Sequence, residues 1–116
     1  MKILITGGAG FIGSHAAEHF SKEFSEVIIY DNLSRGVLLN KEIENDYNIE
    51  YLKKYSNIKF LKEDVRDYKS IENATKEVNT IIHTASQTAV TSSLLNPKED
   101  FDVNVNGTLN VLEAAR

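Results

Sequence analysis

Lys2-Ile3-Leu4-Ile5-Thr6-Gly7-Gly8-Ala9-Gly10-Phe11-Ile12-Gly13 decides the fold. A short apolar run is cut by a cluster of glycines, the pattern of a buried strand entering a tight turn. From Phe11 the spacing changes: Ile12, Ala16, Phe20 and Phe24 recur every four residues, as on one face of a helix. Val27 to Tyr30 is again β-branched and apolar and ends at Asp31. Residues 2–31 are therefore expected to be strand, glycine turn, helix and strand, a βαβ unit close to its minimum length.

Outward from that unit the alternation continues. In the polar stretch 32–57, Ile43, Tyr47, Tyr51 and Tyr55 keep a four-residue spacing that suits a surface helix. Ile58 to Leu61 reads as a third strand. Asp67 suits the cap of a short helix over 68–76, and Thr80 to His83 reads as a fourth strand followed by a polar loop. Asn96, Pro97 and Glu99 are the cap, first-turn proline and third-position acid of a last helix. That helix carries two apolar stripes: Phe101, Val105, Leu109 and Leu112 in one, Val103, Val111, Ala114 and Ala115 in the other. Two stripes require two neighbours. Strands alternating with helices predict an α/β fold with a parallel sheet, and right-handed crossovers set the strand order 3-2-1-4.

Composition narrows the function. The chain has 116 residues, within the range of one domain (1–116), with 41% hydrophobic residues for a core. A net charge of −4 offers no basic face, so neither nucleic acid nor an anionic membrane is an expected partner. Without cysteine there are no disulfides and no thiolate metal sites, which leaves the expected compartment, the cytoplasm, unopposed. Met1 to Thr6 begins like a leader, but glycines interrupt it at once. No apolar run approaches the ~20 residues of a membrane span.

The glycines satisfy two spacings together. Gly8, Gly10 and Gly13 spell G-x-G-x-x-G, and Gly7, Gly10 and Gly13 spell G-x-x-G-x-x-G. Placed between a strand and a helix, this is the arrangement that seats a dinucleotide pyrophosphate on a helix N-terminus. Asp31, at the end of the second strand, can accept from both ribose hydroxyls and would repel a 2′-phosphate, which favours NAD over NADP. Arg35 is the nearby residue that could instead accommodate that phosphate. Asp64-Val65 follows the third strand and fits an adenine contact. Ala85, Ser86 and Gln87 follow the fourth, at the carboxyl edge where ligands bind in such sheets.

Thr6 to Ser14, Asp31-Asn32-Leu33-Ser34, Asp64-Val65-Arg66-Asp67 and Asn104-Val105-Asn106-Gly107-Thr108 resemble the extended short-chain dehydrogenase/reductases, over essentially the whole chain. Gln87 to Ser93, Asn96-Pro97, Asp100-Phe101 and Gly107 to Arg116 look most like the CDP-paratose 2-epimerases within them. Ser86 and Asn106 depart from that subfamily, which often has glycine at both positions. UDP-glucose 4-epimerases and dTDP-glucose 4,6-dehydratases share the general pattern.

The resemblance implies a Rossmann fold, here reaching as far as the fourth strand and the helix after it. It implies NAD as cofactor, a nucleotide-sugar substrate and a homodimer in the full-length enzyme. By position, Gly7, Gly10, Phe11, Ile12 and Gly13 would line the pyrophosphate. Asp31, Asn32, Ser34 and Arg35 would surround the ribose, and Asp64 and Val65 the adenine. Ala85, Ser86 and Gln87 would lie along the nicotinamide half, while Asn104 would tie the last helix to neighbouring loops.

No catalytic residue is expected within these 116, so the chain reads either as the cofactor part of such an enzyme or as an NAD-binding module without catalysis. The family's acid/base tyrosine stands four residues before a lysine on a helix beyond the fifth strand. Tyr55 and Lys59 have that spacing but run into the third strand, where residues four apart are far apart in space. His15 and His19 could share a helix face, but no third metal ligand is evident, so no metal site is expected. His83 ends an apolar strand and reads as a packed, hydrogen-bonded histidine.

Overall fold

The computed structural model describes residues 1–35 and 46–116. Four parallel strands form one sheet: β1 (Lys2–Thr6), β2 (Glu26–Asp31), β3 (Ile58–Lys62) and β4 (Thr80–His83), in the order β3-β2-β1-β4. This is the expected 3-2-1-4 order. β1 lies at the centre, with Thr6 level with Tyr30 on one side and with His83 on the other.

Burial on both faces explains the uninterrupted apolar runs. Ile3, Ile5, Val27 and Ile29 point to one side. They pack there with Ala17 of α1 (Phe11–Phe20) and with Ile49 and Leu52 of α2 (Tyr47–Leu52). Leu4 and Tyr30 point to the other, against Ile71 of α3 (Tyr68–Thr75) and Val111 of α6 (Gly107–Ala115). Helices thus cover both faces, as in a Rossmann fold.

Two helix faces differ from the sequence reading. In α1 the buried residues are Gly13, Ser14 and Ala17, while Ile12 is exposed at the helix start. The first turn must open toward a ligand, so its side chains leave the core. Phe24, past the helix end, still packs on the core with Ala16 and Phe20. In α2, Tyr47 and Tyr51 are exposed and the core-facing pair is Ile49 and Leu52. Tyr55 lies beyond α2, and Ile43 lies outside the described residues.

The caps follow the expected chemistry. Asp67 accepts from Ser70 N–H at the start of α3. Asn96 accepts from Glu99 N–H at the start of α5 (Pro97–Phe101). The polar loop after β4 contains a short helix, α4 (Val90–Leu95), with no buried residue. Between α5 and α6, residues Asp102–Asn106 widen into a π-helical turn. Of the second expected stripe, Val111 and Ala114 of α6 pack with the core, Ala115 is exposed, and Val103 lies in the π-helical turn and lines a cleft. Phe101, Val105, Leu109 and Leu112 stay exposed by 48–62%.

Candidate cofactor site

The carboxyl ends of the four strands and the N-terminus of α1 converge on a cleft of about 410 Å³, within the range of small-molecule sites. Every site residue named from the sequence lines it: Gly7, Gly10, Phe11, Ile12 and Gly13 on the glycine turn; Asp31, Asn32, Ser34 and Arg35 after β2; Asp64 and Val65 after β3; Ala85, Ser86 and Gln87 after β4.

The glycine turn is shaped by close approach. Gly7 has φ +68°, and a Cβ there would stand 2.6 Å from Ala85 N. A Cβ at Gly13 would overlap the Gly7 carbonyl oxygen and lie 2.7 Å from Gly8 Cα. The absence of both side chains lets α1 start directly over the end of β1. No side chain caps that start, so the first-turn N–H groups and the positive end of the helix dipole point into the cleft. The cradle therefore fits a pyrophosphate.

Asp31 does more than edge the cleft. Its Oδ2 accepts from Ala9 N at 3.0 Å and its Oδ1 from Leu33 N at 2.8 Å, so it fastens the glycine turn to the end of β2. Each oxygen keeps a second lone pair for a ligand hydroxyl. Burial pushes the Asp31 carboxyl up, against the two N–H bonds that favour the anion. The next turn is tight. Leu33 takes φ 59° while its side chain is buried, a strain of roughly 1–3 kcal/mol for a residue with a Cβ. Ser34 N donates to Asn32 Oδ1 at 3.0 Å and closes it.

Asp64 is densely bonded. Oδ1 accepts from Arg66 N and Nε at 2.9 and 3.0 Å, and Oδ2 from Arg66 Nη2 and Asn32 Nδ2 at 2.8 and 2.9 Å. Burial alone would raise its pKa, but the bonds from Arg66 and Asn32 prevail and hold it at about 2. Four donors fill the acceptor capacity of a carboxylate, so an adenine amine must displace one to reach it. The sequence reading missed Arg66, which spans from Asp64 toward Glu99, 3.9 Å away on α5. It also missed Tyr30, whose hydroxyl donates to the Asp64 carbonyl at 2.9 Å. Burial pushes the Tyr30 phenol up to about 12, keeping it a neutral donor.

On the β4 side, Gln87 N donates to Asn104 Oδ1 at 2.8 Å and Asn104 Nδ2 donates to Gln87 O at 3.1 Å. Asn104 thus ties the π-helical turn to the loop, the role expected for it. Tyr55 and Lys59 diverge: the phenol donates to Glu18 at 2.5 Å, and the ammonium pairs with Glu26 at 2.6 Å. His15 Nδ1 lies 2.7 Å from Phe11 O, and His19 faces Glu23. No helix among the described residues is long and apolar enough to cross a membrane.

The GDP-mannose 4,6 dehydratase family matches the chain over residues 4–116. The CDP-paratose 2-epimerase of Salmonella typhi is 39% identical over 118 residues, covering 100% of this chain and 33% of the relative. The Thermus thermophilus UDP-glucose 4-epimerase in complex with NAD superposes with a TM-score of 0.75 at 37% identity, over 99% of this chain and 33% of that one. A dTDP-glucose 4,6-dehydratase from Streptomyces venezuelae with NAD and TYD bound has a TM-score of 0.81 at 30% identity, over 99% and 35%. The chain thus spans about a third of the length of these relatives.

Proposed function

Because the chain belongs to the GDP-mannose 4,6 dehydratase family, we propose that it is the NAD-binding portion of a nucleotide-sugar epimerase of the CDP-paratose 2-epimerase kind. The carrying observation is Asp31, whose oxygens are anchored by Ala9 and Leu33 at the mouth of the glycine cradle. Each can still accept from one ribose hydroxyl. A 2′-phosphate there would meet a fixed, partly desolvated negative charge.

The remaining roles follow the cleft. Backbone N–H groups of Phe11, Ile12 and Gly13 hold the pyrophosphate, and Gly7 and Gly10 keep the approach open. Asn32, Ser34 and Arg35 border the ribose. Asp64 and Val65 border the adenine, and Ala85, Ser86 and Gln87 the nicotinamide side. Bound NAD would supply a reversible hydride acceptor for the sugar. Neither Tyr55 nor Lys59 reaches the cleft, so the 116 residues bind the cofactor without turning over a sugar. The exposed stripe Phe101, Val105, Leu109 and Leu112 fits the helical homodimer interface of the full-length family.

Calorimetry tests the reading. NAD should bind more tightly than NADP, and Asp31→Ala should weaken NAD by about tenfold or more while leaving NADP little changed. Tighter binding of NADP by the unaltered chain would refute it. A 4-epimerase or 4,6-dehydratase is the other reading that the relatives favour. Assay of the whole protein with CDP-, UDP- and dTDP-sugars separates the three.

A further inference from the structure

His83 sits at the end of β4, level with Thr6 of β1, and a run of hydrogen bonds passes through its ring. Thr6 Oγ1 lies 2.6 Å from His83 Nδ1 and also accepts from Thr84 N and Ala85 N, each at 3.2 Å. Thr84 N is shared with the Thr6 carbonyl oxygen, 3.1 Å away, so Ala85 N is the donor that depends on the hydroxyl. At the far end Thr108 spends its hydroxyl proton on Asn104 O, so its oxygen accepts from the ring; this puts the ring proton on Nε2 and leaves Nδ1 to accept the Thr6 hydroxyl proton. Nε2 lies 3.1 Å from Thr108 Oγ1, and Thr108 in turn donates to Asn104 O at 2.6 Å. Asn104 holds Gln87 by its side chain. From Thr6 to Asn104 O the protons all point the same way, from β1 through β4 to the π-helical turn.

We propose that His83, as the neutral Nε2–H tautomer, is a positioning residue that sets the Thr84–Gln87 wall of the cleft against α6 and so governs cofactor affinity. The link to affinity rests on the NAD reading above. Protonation would turn Nδ1 into a donor toward the hydroxyl that accepts from Ala85 N and would loosen that bond, while Thr84 stays held by the Thr6 carbonyl. The groups facing the ring from β1 and α6 are the hydroxyls of Thr6 and Thr108, which carry no charge. Burial holds the His83 pKa below its usual range.

The full chain can be tested by ring 15N spectra, amide exchange and calorimetry with NAD. At pH 8 the ring should be the Nε2–H tautomer. As His83 protonates, the protection factor of the Ala85 amide should fall about tenfold. His83→Gln can accept with Oε1 and donate with Nε2 without titrating. It should keep Ala85 protected across the same pH range and bind NAD within about threefold of the parent. Thr108→Val should lower Gln87 protection and weaken NAD about tenfold. An Nδ1–H ring, an Ala85 amide indifferent to the titration, or the parent's pH profile in His83→Gln would each overturn the proposal. Failure of the parent chain to bind NAD would refute the cofactor reading and the link to affinity, while the spectra and exchange still decide the tautomer and the wall.

Discussion

Asp64 illustrates how one carboxylate can organise a wall of the cleft. Its four bonds come from only two residues, and three of them from Arg66. In an unfolded chain the carboxyl titrates near 4, and in the fold at about 2. A depressed pKa stabilises the fold above the unfolded value, and that stabilisation is lost as pH falls from about 4 toward about 2. Asp64→Asn should therefore cost on the order of 2 kcal/mol at pH 7 and flatten the acid limb of stability across that window. Urea melts from pH 2 to 7 measure this, and an unchanged acid limb in the variant would contradict it. Arg66 shields Asp64 from the first turn of α5, where Glu99 and Asp100 concentrate negative charge.

At the scale of elements, the contact between α1 and the end of β1 has no slack. Gly13→Ala places a Cβ against the Gly7 carbonyl and 2.7 Å from Gly8 Cα, both backbone. The helix must lift, with a loss of roughly 1–3 kcal/mol and of the pyrophosphate cradle. Thermal melts with and without NAD should show both, and a variant with parental melting and binding would disprove the close fit. The strands were legible because burial on both faces leaves runs such as Ile3-Leu4-Ile5 unbroken. The glycines that shape the cleft were legible because the turn geometry admits few residue types. Helix α4 was not legible, since it buries nothing and so has no apolar period. The widened turn at Asp102–Asn106 differs from an α-helix by a one-residue shift in hydrogen bonding, which leaves no mark in composition. Tyr30 was missed because its partner comes from the fold, across in the loop after β3; Arg66 has Asp64 two residues away, and only its reach toward Glu99 depends on the fold.

At the scale of the molecule, among the described residues, Leu109 is 54% and Leu112 62% exposed on one side of α6, and β4 is an edge of the four-stranded sheet. An apolar stripe and a strand edge both favour association. Light scattering over a concentration series should show self-association that Leu109→Glu together with Leu112→Glu suppresses; particles of equal size in the two proteins would exclude the stripe as the contact. The central place of β1 also has a consequence in time. Synthesis makes this strand before the other three, and its partner His83 lies 77 residues beyond Thr6. At roughly 5–20 residues per second, β1 waits about 4–15 s after emerging for its second neighbour. During that interval one edge of the most apolar strand is unpaired, and the glycine turn lacks the Thr84–Ala85 backbone that closes behind Gly7. The nascent chain therefore gains its cofactor cleft late and all at once, when β4 docks.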